Sequence, residues 1–523
     1  MSGEEGPDST ALSAAAAAPA QDPLPRPQRG DELELRIESL AFGGEGVARL
    51  GDTPSGAHGG GYVVFVAGAV PGDLVRAVVH KRKRSYAHAR TVEVLDPSPE
   101  RIPPVADHPG VAWQVLPYER QLEVKHSQVE EALRRIGRLE GFELEGIVPA
   151  LQPWRYRNKL EYSFGAGEDG ELVCGFHAPA GGNQVVAIED CLLASERGNL
   201  AREVALRWCR AQGLEGWNRG RDRETRPSGA AVEAARKERT ASAADGRARL
   251  RNLVVREGRR TEKLQVRIVT TDGELEAGGL AAELSRALGE DHLAGVLWST
   301  SRSLAETTAG GDTQLVWGEA ELPERLGELD LRISPEAFFQ TNTEMAELLY
   351  GVVAEYAALE GWERVFDLYS GIGTIALTLA SRAGELWGIE LVEEAVADAI
   401  AAARRNEVTQ AHFFAGDTRL ALAELVERAG RPDVLVVDPP RAGLSKKVVH
   451  RIVDASPKRI VYVSCNPTTL APNAAELVEA GWVLRKVRPV DMFPQTHHIE
   501  CVALFERADG GPRPARSAVP DSG

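Results

Sequence analysis

Val365-Phe366-Asp367-Leu368-Tyr369-Ser370-Gly371-Ile372-Gly373-Thr374-Ile375-Ala376 reads as a strand that runs into a glycine turn and out into a helix. Gly371-x-Gly373-x-x-Ala376 has the spacing that lets a backbone turn tightly beneath a ligand. Glu390 closes the next strand-like run, Leu386 to Glu390, at the expected separation of about 20 residues, where a carboxylate accepts hydrogen bonds from ribose hydroxyls. Working outward, His412 to Asp417, Val434 to Asp438 and Ile460 to Ser464 are further strands at regular spacing, and Val392, Val396 and Ile400 share one face of an intervening helix. Trp482 to Val490 and Cys501 to Glu506 read as a closing antiparallel pair. Strands alternating with helices predict an α/β doubly wound, Rossmann-like sheet over residues 331–507.

The glycine turn alone does not separate a nicotinamide dinucleotide from S-adenosylmethionine, nor either from a turn with no ligand. The ends of strands four and five add chemistry. Asp438-Pro439-Pro440-Arg441 sets a carboxylate and a rigid turn where a transferred group would sit, a device of methyltransferases that take a base out of its stack. Asp417, ending strand three, is placed to reach an adenine. Val461-Tyr462-Val463-Ser464-Cys465-Asn466-Pro467 ends its strand at Cys465, because a residue before proline is pushed out of the helical region. A thiol at a strand's carboxyl end can act as a nucleophile, whereas most free cysteines are small buried hydrophobes. Both readings of Cys465 stand at this point.

The 523-residue chain as a whole is too long for one core. Its net charge of −16 speaks to solubility and does not exclude a local basic groove, since basic residues cluster in Lys81-Arg82-Lys83-Arg84, in Arg155 to Lys159 and between Arg219 and Arg260. Five scattered cysteines argue against a disulfide framework, the alanine-rich start lacks the basic flank of a signal peptide, and no apolar run is long enough to cross a bilayer. A cytoplasmic protein with no membrane partner is expected. Residues 1–28 and 508–523 read as disordered tails. Residues 29–98 carry short alternating strands around Phe42-Gly43-Gly44-Glu45-Gly46 and predict a small OB-like β-barrel. Lys81 to Arg84 with Tyr62, Phe65 and Tyr86 would give it a positive groove with stacking platforms for single-stranded RNA. Residues 99–330 predict an α+β central domain. It opens with a helix from Tyr118 to Gly137, with Leu122, Val129, Leu133 and Ile136 on its buried stripe. In Trp154 to Phe164 a period of two puts Trp154, Tyr156, Leu160, Tyr162 and Phe164 on one face and Arg155, Arg157 and Lys159 on the other, suited to a phosphate backbone. Residues 217–246, without apolar period, read as a mobile insertion.

Five motifs occur in order: Phe338-Phe339-Gln340-Thr341-Asn342, Asp367 to Gly373, Asp438 to Arg441, Ser464 to Pro467 and Asp491-Met492-Phe493-Pro494-Gln495-Thr496-His497-His498-Ile499-Glu500. Together they resemble the RNA 5-methyluridine methyltransferase family with an N-terminal TRAM barrel, over roughly residues 30 to 507. The resemblance implies S-adenosylmethionine as cofactor and RNA as partner, ribosomal RNA ahead of transfer RNA, with no DNA and a monomeric enzyme. It implies Cys465 as nucleophile and Glu500 as base, with Gln340, Tyr369, Thr374, Glu390, Asp417 and Asp438 lining the cofactor and base pocket. His497 or His498 would relay the proton; the rival reading of His497, His498 and Glu500 as a metal site lacks a further ligand cluster. Gln340 precedes a helix for which Thr341 and Glu344 match a capping box. One branch of the family carries a four-cysteine iron–sulfur site. Here the matching stretch, His108 to Gln114, has no cysteine and Cys191 stands alone, so no cluster is expected. Transfer to an exocyclic base nitrogen, with Cys465 as filler, and a non-catalytic RNA-binding or ribosome-assembly factor remain as alternatives.

Overall fold

The computed structural model describes residues 26–50, 61–167, 169–178, 184–217, 246–303, 308 and 311–508. The expected tails (residues 1–25 and 509–523) and nearly all of the expected insertion (residues 218–245) lie outside the described residues. Two compact units are present, residues 1–41 with 45–99 and residues 42–44 with 100–523.

The first unit contains a six-stranded sheet formed by Glu32–Arg36, Ser39–Leu40, Gly46–Leu50, Tyr62–Ala67, Leu74–Arg82 and Tyr86–Asp96. Alternation in Val75, Ala77 and Val79 points those side chains into a core with Leu35, Ile37, Val64, Val66, Ala87 and Ala89. The Tyr62 hydroxyl donates to the carbonyls of Lys83, at 2.9 Å, and Tyr86, at 2.7 Å, and so braces the hairpin that carries the basic run. Phe65 stacks on His88 at 5.4 Å, with Tyr86 edge-on to both.

In the second unit a seven-stranded mixed sheet runs in the order Val185–Ala187, Leu172–His177, Lys159–Ala166, Leu250–Gly258, Lys263–Thr270, Leu293–Thr300, Asp312–Gly318. Helices Glu196–Ala211 and Gly278–Leu288 share a core with it. Sequence reading extended one strand over Trp154 to Phe164, but it starts at Lys159. Arg155 turns the chain through a left-handed conformation, φ 53°. The apolar side holds, with Tyr156, Leu160, Tyr162 and Phe164 buried. The basic face does not. Arg155 is engaged by Asp190 at 2.7 Å and Lys159 by Glu161 at 2.6 Å, which leaves Arg157.

A hairpin, Leu322–Leu326 with Leu329–Ile333, leads into α1 (Thr343–Ala357), then β1 (Arg364–Leu368), α2 (Thr374–Leu379), β2 (Glu385–Glu390), α3 (Glu393–Arg405), β3 (Ala411–Ala415), α4 (Thr418–Ala429), β4 (Val434–Val437), α5 (Lys446–Ala455), β5 (Arg459–Ser464), α6 (Pro467–Glu479), β6 (Trp482–Val490) and β7 (Glu500–Arg507). The sheet order is β3-β2-β1-β4-β5-β7-β6, with β7 antiparallel to both its neighbours. The order reverses between β1 and β4, the switch point beyond which such sheets bind ligands. α1, α2 and α3 pack on one face and α4, α5 and α6 on the other.

Residues from the preceding region join this sheet. Glu143–Leu144 pairs with β6 at its edge, and Val129, Leu133, Leu139 and Phe142 enter the core beneath α6. The expected Tyr118 helix is regular to Glu131 and closes in a π-helical turn, Ala132–Ile136, where Ile136 is exposed rather than buried. Its buried stripe is instead partly polar. Lys125 and Asp491, both fully buried, pair at 2.6 Å, and the Tyr118 hydroxyl donates to the other Asp491 oxygen at 2.8 Å. This network ties the helix to the segment leading into β7. The α1 cap also differs from expectation. Asn342, not Thr341, caps the helix, accepting from the Met345 N–H at 3.3 Å. Glu344 pairs with Arg259 at 3.2 Å, and the Thr341 carbonyl receives the Asn158 N–H at 2.8 Å. Two adjacent capping residues made the register ambiguous by one.

Candidate active site

β1 delivers the chain to a turn in which Tyr369, Gly371 and Gly373 all have positive φ, 65°, 53° and 80°. At Gly373 a Cβ would meet the Phe413 ring at 2.8 Å, so only glycine fits. Glu390, at the end of β2, fixes this turn. Its carboxylate accepts the N–H of Gly371 at 3.0 Å, of Leu391 at 2.7 Å and of Val392 at 2.9 Å. Asp367 accepts the Ala376 N–H at 3.1 Å with one oxygen, while the other is buried without a partner. Burial, then the charges of Asp438 and Glu390, pushes the Asp367 carboxyl up to about 8. Thr374 meets the Tyr350 hydroxyl at 3.1 Å. Asp417 caps α4 through the Arg419 N–H at 2.9 Å and also pairs with the Arg419 guanidinium, which holds its carboxyl down at about 2.

At the other end of the site β5 and β7 run antiparallel with Ser464 opposite Cys501. Cys465 follows the last rung of that ladder on one strand and Glu500 precedes it on the other, and the Glu500 charge bears on the thiol. Asn466 caps α6, its side chain accepting the Thr468 N–H at 3.0 Å, and Pro467 opens the helix, so Cys465 sits at a strand-to-helix corner rather than in a core. Val437, next to Asp438, lies beside Tyr462 of β5. Three buried or half-buried acidic groups therefore meet. Burial and then the Asp438 charge raise the Glu500 carboxyl well above the usual carboxylate range, burial alone lifts Asp438 to about 7, and burial followed by both carboxylates pushes the Cys465 thiol up to about 12. The His497 and His498 rings pack at 4.1 Å, tilted 44° to one another, and burial with the Arg441 charge lowers them to about 4 and about 3.

One cavity of about 1530 Å³ gathers these groups. Gln340, Tyr369, Thr374, Glu390, Asp417, Asp438, Cys465 and Glu500 all line it, as does His498. Leu391 and Val392 line it too, 68 % and 50 % exposed; the sequence reading passed over Leu391 and set Val392 on the apolar face of the next helix, which starts only at Glu393. An apolar pair directly after a strand-end acid is the signal that could have found them. Among the described residues no three His, Cys, Asp or Glu side chains are grouped to hold a metal ion. Cys191 is buried against His108, its sulfur 3.3 Å from Nε2.

A family profile described as tRNA (Uracil-5-)-methyltransferase matches residues 319–508, and a TRAM domain profile matches residues 26–92. An uncharacterized RNA methyltransferase of Halalkalibacterium halodurans is 32% identical over 91% of this chain and 97% of its own length. One from Thermosynechococcus vestitus is 36% identical over 91% and 98%. A solved structure, the Pyrococcus abyssi tRNA (uracil-54, C5)-methyltransferase in complex with S-adenosyl-L-homocysteine, superimposes with a TM-score of 0.68 at 27% identity, covering 90% of this chain and 99% of that one. The chain belongs to the RNA (uracil-5-)-methyltransferase family.

The enzyme is thus an S-adenosylmethionine-dependent RNA methyltransferase acting on uracil carbon 5, with a Rossmann-like catalytic domain, an α+β central domain and an N-terminal TRAM barrel. The nicotinamide-dinucleotide, exocyclic-nitrogen and non-catalytic readings give way to it. The cavity fits the cofactor on its own terms. A glycine cradle opens beside the strand-end acid Glu390, and the acidic lining suits a ligand that carries positive charge.

Proposed function

We propose that this methyltransferase modifies a uridine of 23S ribosomal RNA through a covalent bond between Cys465 and uracil carbon 6, with Glu500 as the base. The observation that carries this reading is that Cys465 and Glu500, which flank the Ser464–Cys501 rung, line the same cavity. Carbon 5 of uracil is too weakly nucleophilic to take a methyl group directly. Addition of the Cys465 thiolate forms the sulfur–carbon 6 bond and moves the ring's electron pair onto the carbon 5 enolate system. S-adenosylmethionine supplies an electrophilic methyl group there. Once carbon 5 carries its methyl, Glu500 takes the remaining carbon 5 proton; that electron pair restores the ring double bond as the carbon 6–sulfur bond breaks. A base held above the ordinary carboxylate range suits this step, and neutral His498 can pass the proton outward.

In this reading Gln340, Tyr369, Thr374, Glu390, Asp417 and Asp438 hold the cofactor and the base. Glu390 takes the ribose hydroxyls with Leu391 and Val392 flanking the adenine, and Asp438 lies at the reacting end. The barrel grips RNA outside the target through Lys81, Arg82, Lys83 and Arg84 and the Phe65, Tyr86 and His88 cluster. The enzyme works as a cytoplasmic monomer, in keeping with five free cysteines and with the lack of a membrane-spanning helix among the described residues. Transfer RNA is the second reading, favoured by the solved relative that acts on tRNA uracil-54.

The test offers unmodified ribosomal and transfer RNA, tritiated at uracil carbon 5, to enzyme and S-adenosylmethionine. Tritium release equal to methyl uptake on ribosomal RNA, and lost in Cys465→Ala, is the expected result. Release on transfer RNA alone moves the substrate. Methyl uptake without release overturns the thiolate chemistry.

A further inference from the structure

Of the three cations expected on one strand face, two are neutralised and one reaches the catalytic cavity. Arg157 lines that cavity, and its Nε is buried without a hydrogen-bond partner. The backbone on either side of it is bolted to two catalytic segments. The Tyr156 hydroxyl donates to the Pro494 carbonyl at 3.1 Å, in the segment that leads to His498 and Glu500. Asn158 donates from its side chain to the Gln340 carbonyl at 2.8 Å and from its main chain to the Thr341 carbonyl at 2.8 Å. The Arg157 N–H itself is fixed on the Leu193 carbonyl at 3.0 Å. Four hydrogen bonds thus hold this stretch between the Gln340 segment and the Glu500 segment.

A second guanidinium faces the same space. Arg441 follows Asp438-Pro439-Pro440, is exposed and lines the cavity, and its carbonyl accepts the Asn466 side chain at 3.2 Å beside Cys465. The charges of Arg441 and Arg157 both bear on His498. Among the described residues neither arginine forms a salt bridge, whereas Arg155, two residues away, is engaged by Asp190. Arg157 meets the Tyr156 hydroxyl, but among the described residues no carboxylate of this cavity, which Asp438, Glu500, Glu390 and Asp417 also line, neutralises either guanidinium. A dianionic or monoanionic ligand that passes between them would.

We propose that Arg157 and Arg441 form a phosphate clamp, one arm from each domain, that grips the RNA phosphodiester next to the target uridine and holds the nucleotide over Cys465. The guanidinium fork matches phosphate oxygens in a way that lysine does not. The proposal rests on the RNA substrate but not on which RNA is modified, nor on the Cys465 chemistry.

The test uses the full chain saturated with S-adenosylhomocysteine and a fluorescent decauridylate, with affinity read by anisotropy between 50 and 300 mM potassium chloride (concentrations of roughly physiological order, where counterion release dominates). Arg157→Gln and Arg441→Gln should each weaken binding roughly three- to tenfold and flatten the log–log salt slope by about 0.7, the loss of one phosphate contact on a single strand. Arg157→Lys should keep the slope, and Arg155→Gln should keep both slope and affinity. S-adenosylhomocysteine affinity, unchanged in each variant, reports that the site is folded; if Arg157→Gln fails this check, Arg441→Gln and Arg157→Lys carry the test. A wild-type slope in a folded Arg157→Gln or in Arg441→Gln overturns the clamp, as does wild-type binding that ignores salt. Cys465→Ala should bind with the wild-type slope, so failure of the covalent mechanism reads out separately.

Discussion

Cys465 keeps its proton in the cofactor-free cavity, because burial and two carboxylates raise the thiol to about 12. Its activation therefore needs positive charge brought into an acidic site, and Asp438 is the group that should report this. Its carboxyl, lifted to about 7, is largely protonated below neutrality in the cofactor-free enzyme. A cationic ligand binds the ionised form better, so S-adenosylmethionine affinity should rise with pH through about 7 and level off above it. Titration calorimetry from pH 6 to 8 checks this: the dissociation constant should fall across the range in the wild type and stay nearly flat in Asp438→Asn. A flat wild-type profile would remove Asp438 from the cofactor's charge balance. Glu500→Gln keeps the shape and loses the base. Turnover should drop by about 10²- to 10⁴-fold, the ordinary contribution of a general base. S-adenosylmethionine affinity should change little, and methylated RNA should remain bound to the protein because the final elimination stalls.

At the scale of elements, strand ends were the most legible features, since β-branched runs that stop at Asp438 and Cys465 mark both the sheet and its working edge. Helix signals were less faithful. The Tyr118 helix buries Gln121 and Lys125, polar residues that an apolar stripe cannot reveal, because their partners Gln495 and Asp491 lie more than 360 positions away. The Arg155 turn was invisible for a related reason. Alternating residue types fit a strand, and the left-handed backbone is set by hydrogen bonds to Leu192 and Leu193 from a distant loop. The cap of α1 gives a direct check at this scale. Asn342→Ala removes the cap and the bond to the Met492 carbonyl at 3.0 Å, and should cost about 1–2 kcal/mol in denaturant unfolding. Thr341→Ala should cost less than about 0.5 kcal/mol. Equal losses would restore the capping register one residue earlier.

Across the whole molecule, a chain of net charge −16 binds a polyanion, which requires that its cations be placed rather than numerous. The barrel's basic run is the clearest such placement from sequence alone, because four consecutive cations need no tertiary context to be seen. The Arg157–Arg441 pair could not be seen, since it joins residues 284 positions apart from two domains, the difference between 441 and 157. Replacing Lys81, Arg82, Lys83 and Arg84 together with glutamine should raise KM for RNA by roughly tenfold at physiological salt and leave turnover at saturating RNA unchanged. A fall in turnover with KM unchanged would assign the run a role in the chemistry instead. The site itself was largely readable. The residues proposed to do chemistry sit at the ends of strands in fixed motifs, whereas the ones that hold those ends in place come from elsewhere in the chain.

The central claim is that Cys465 adds to uracil carbon 6 and Glu500 removes the carbon 5 proton. An RNA carrying 5-fluorouridine at the target tests it most directly, because fluorine cannot be taken as a proton and the reaction must stop at the methylated adduct. With S-adenosylmethionine present, the account predicts a denaturant-stable protein–RNA complex whose digested peptide carries methylated fluorouridine on Cys465, absent in Cys465→Ala. A methylated RNA product released without any covalent complex would contradict it.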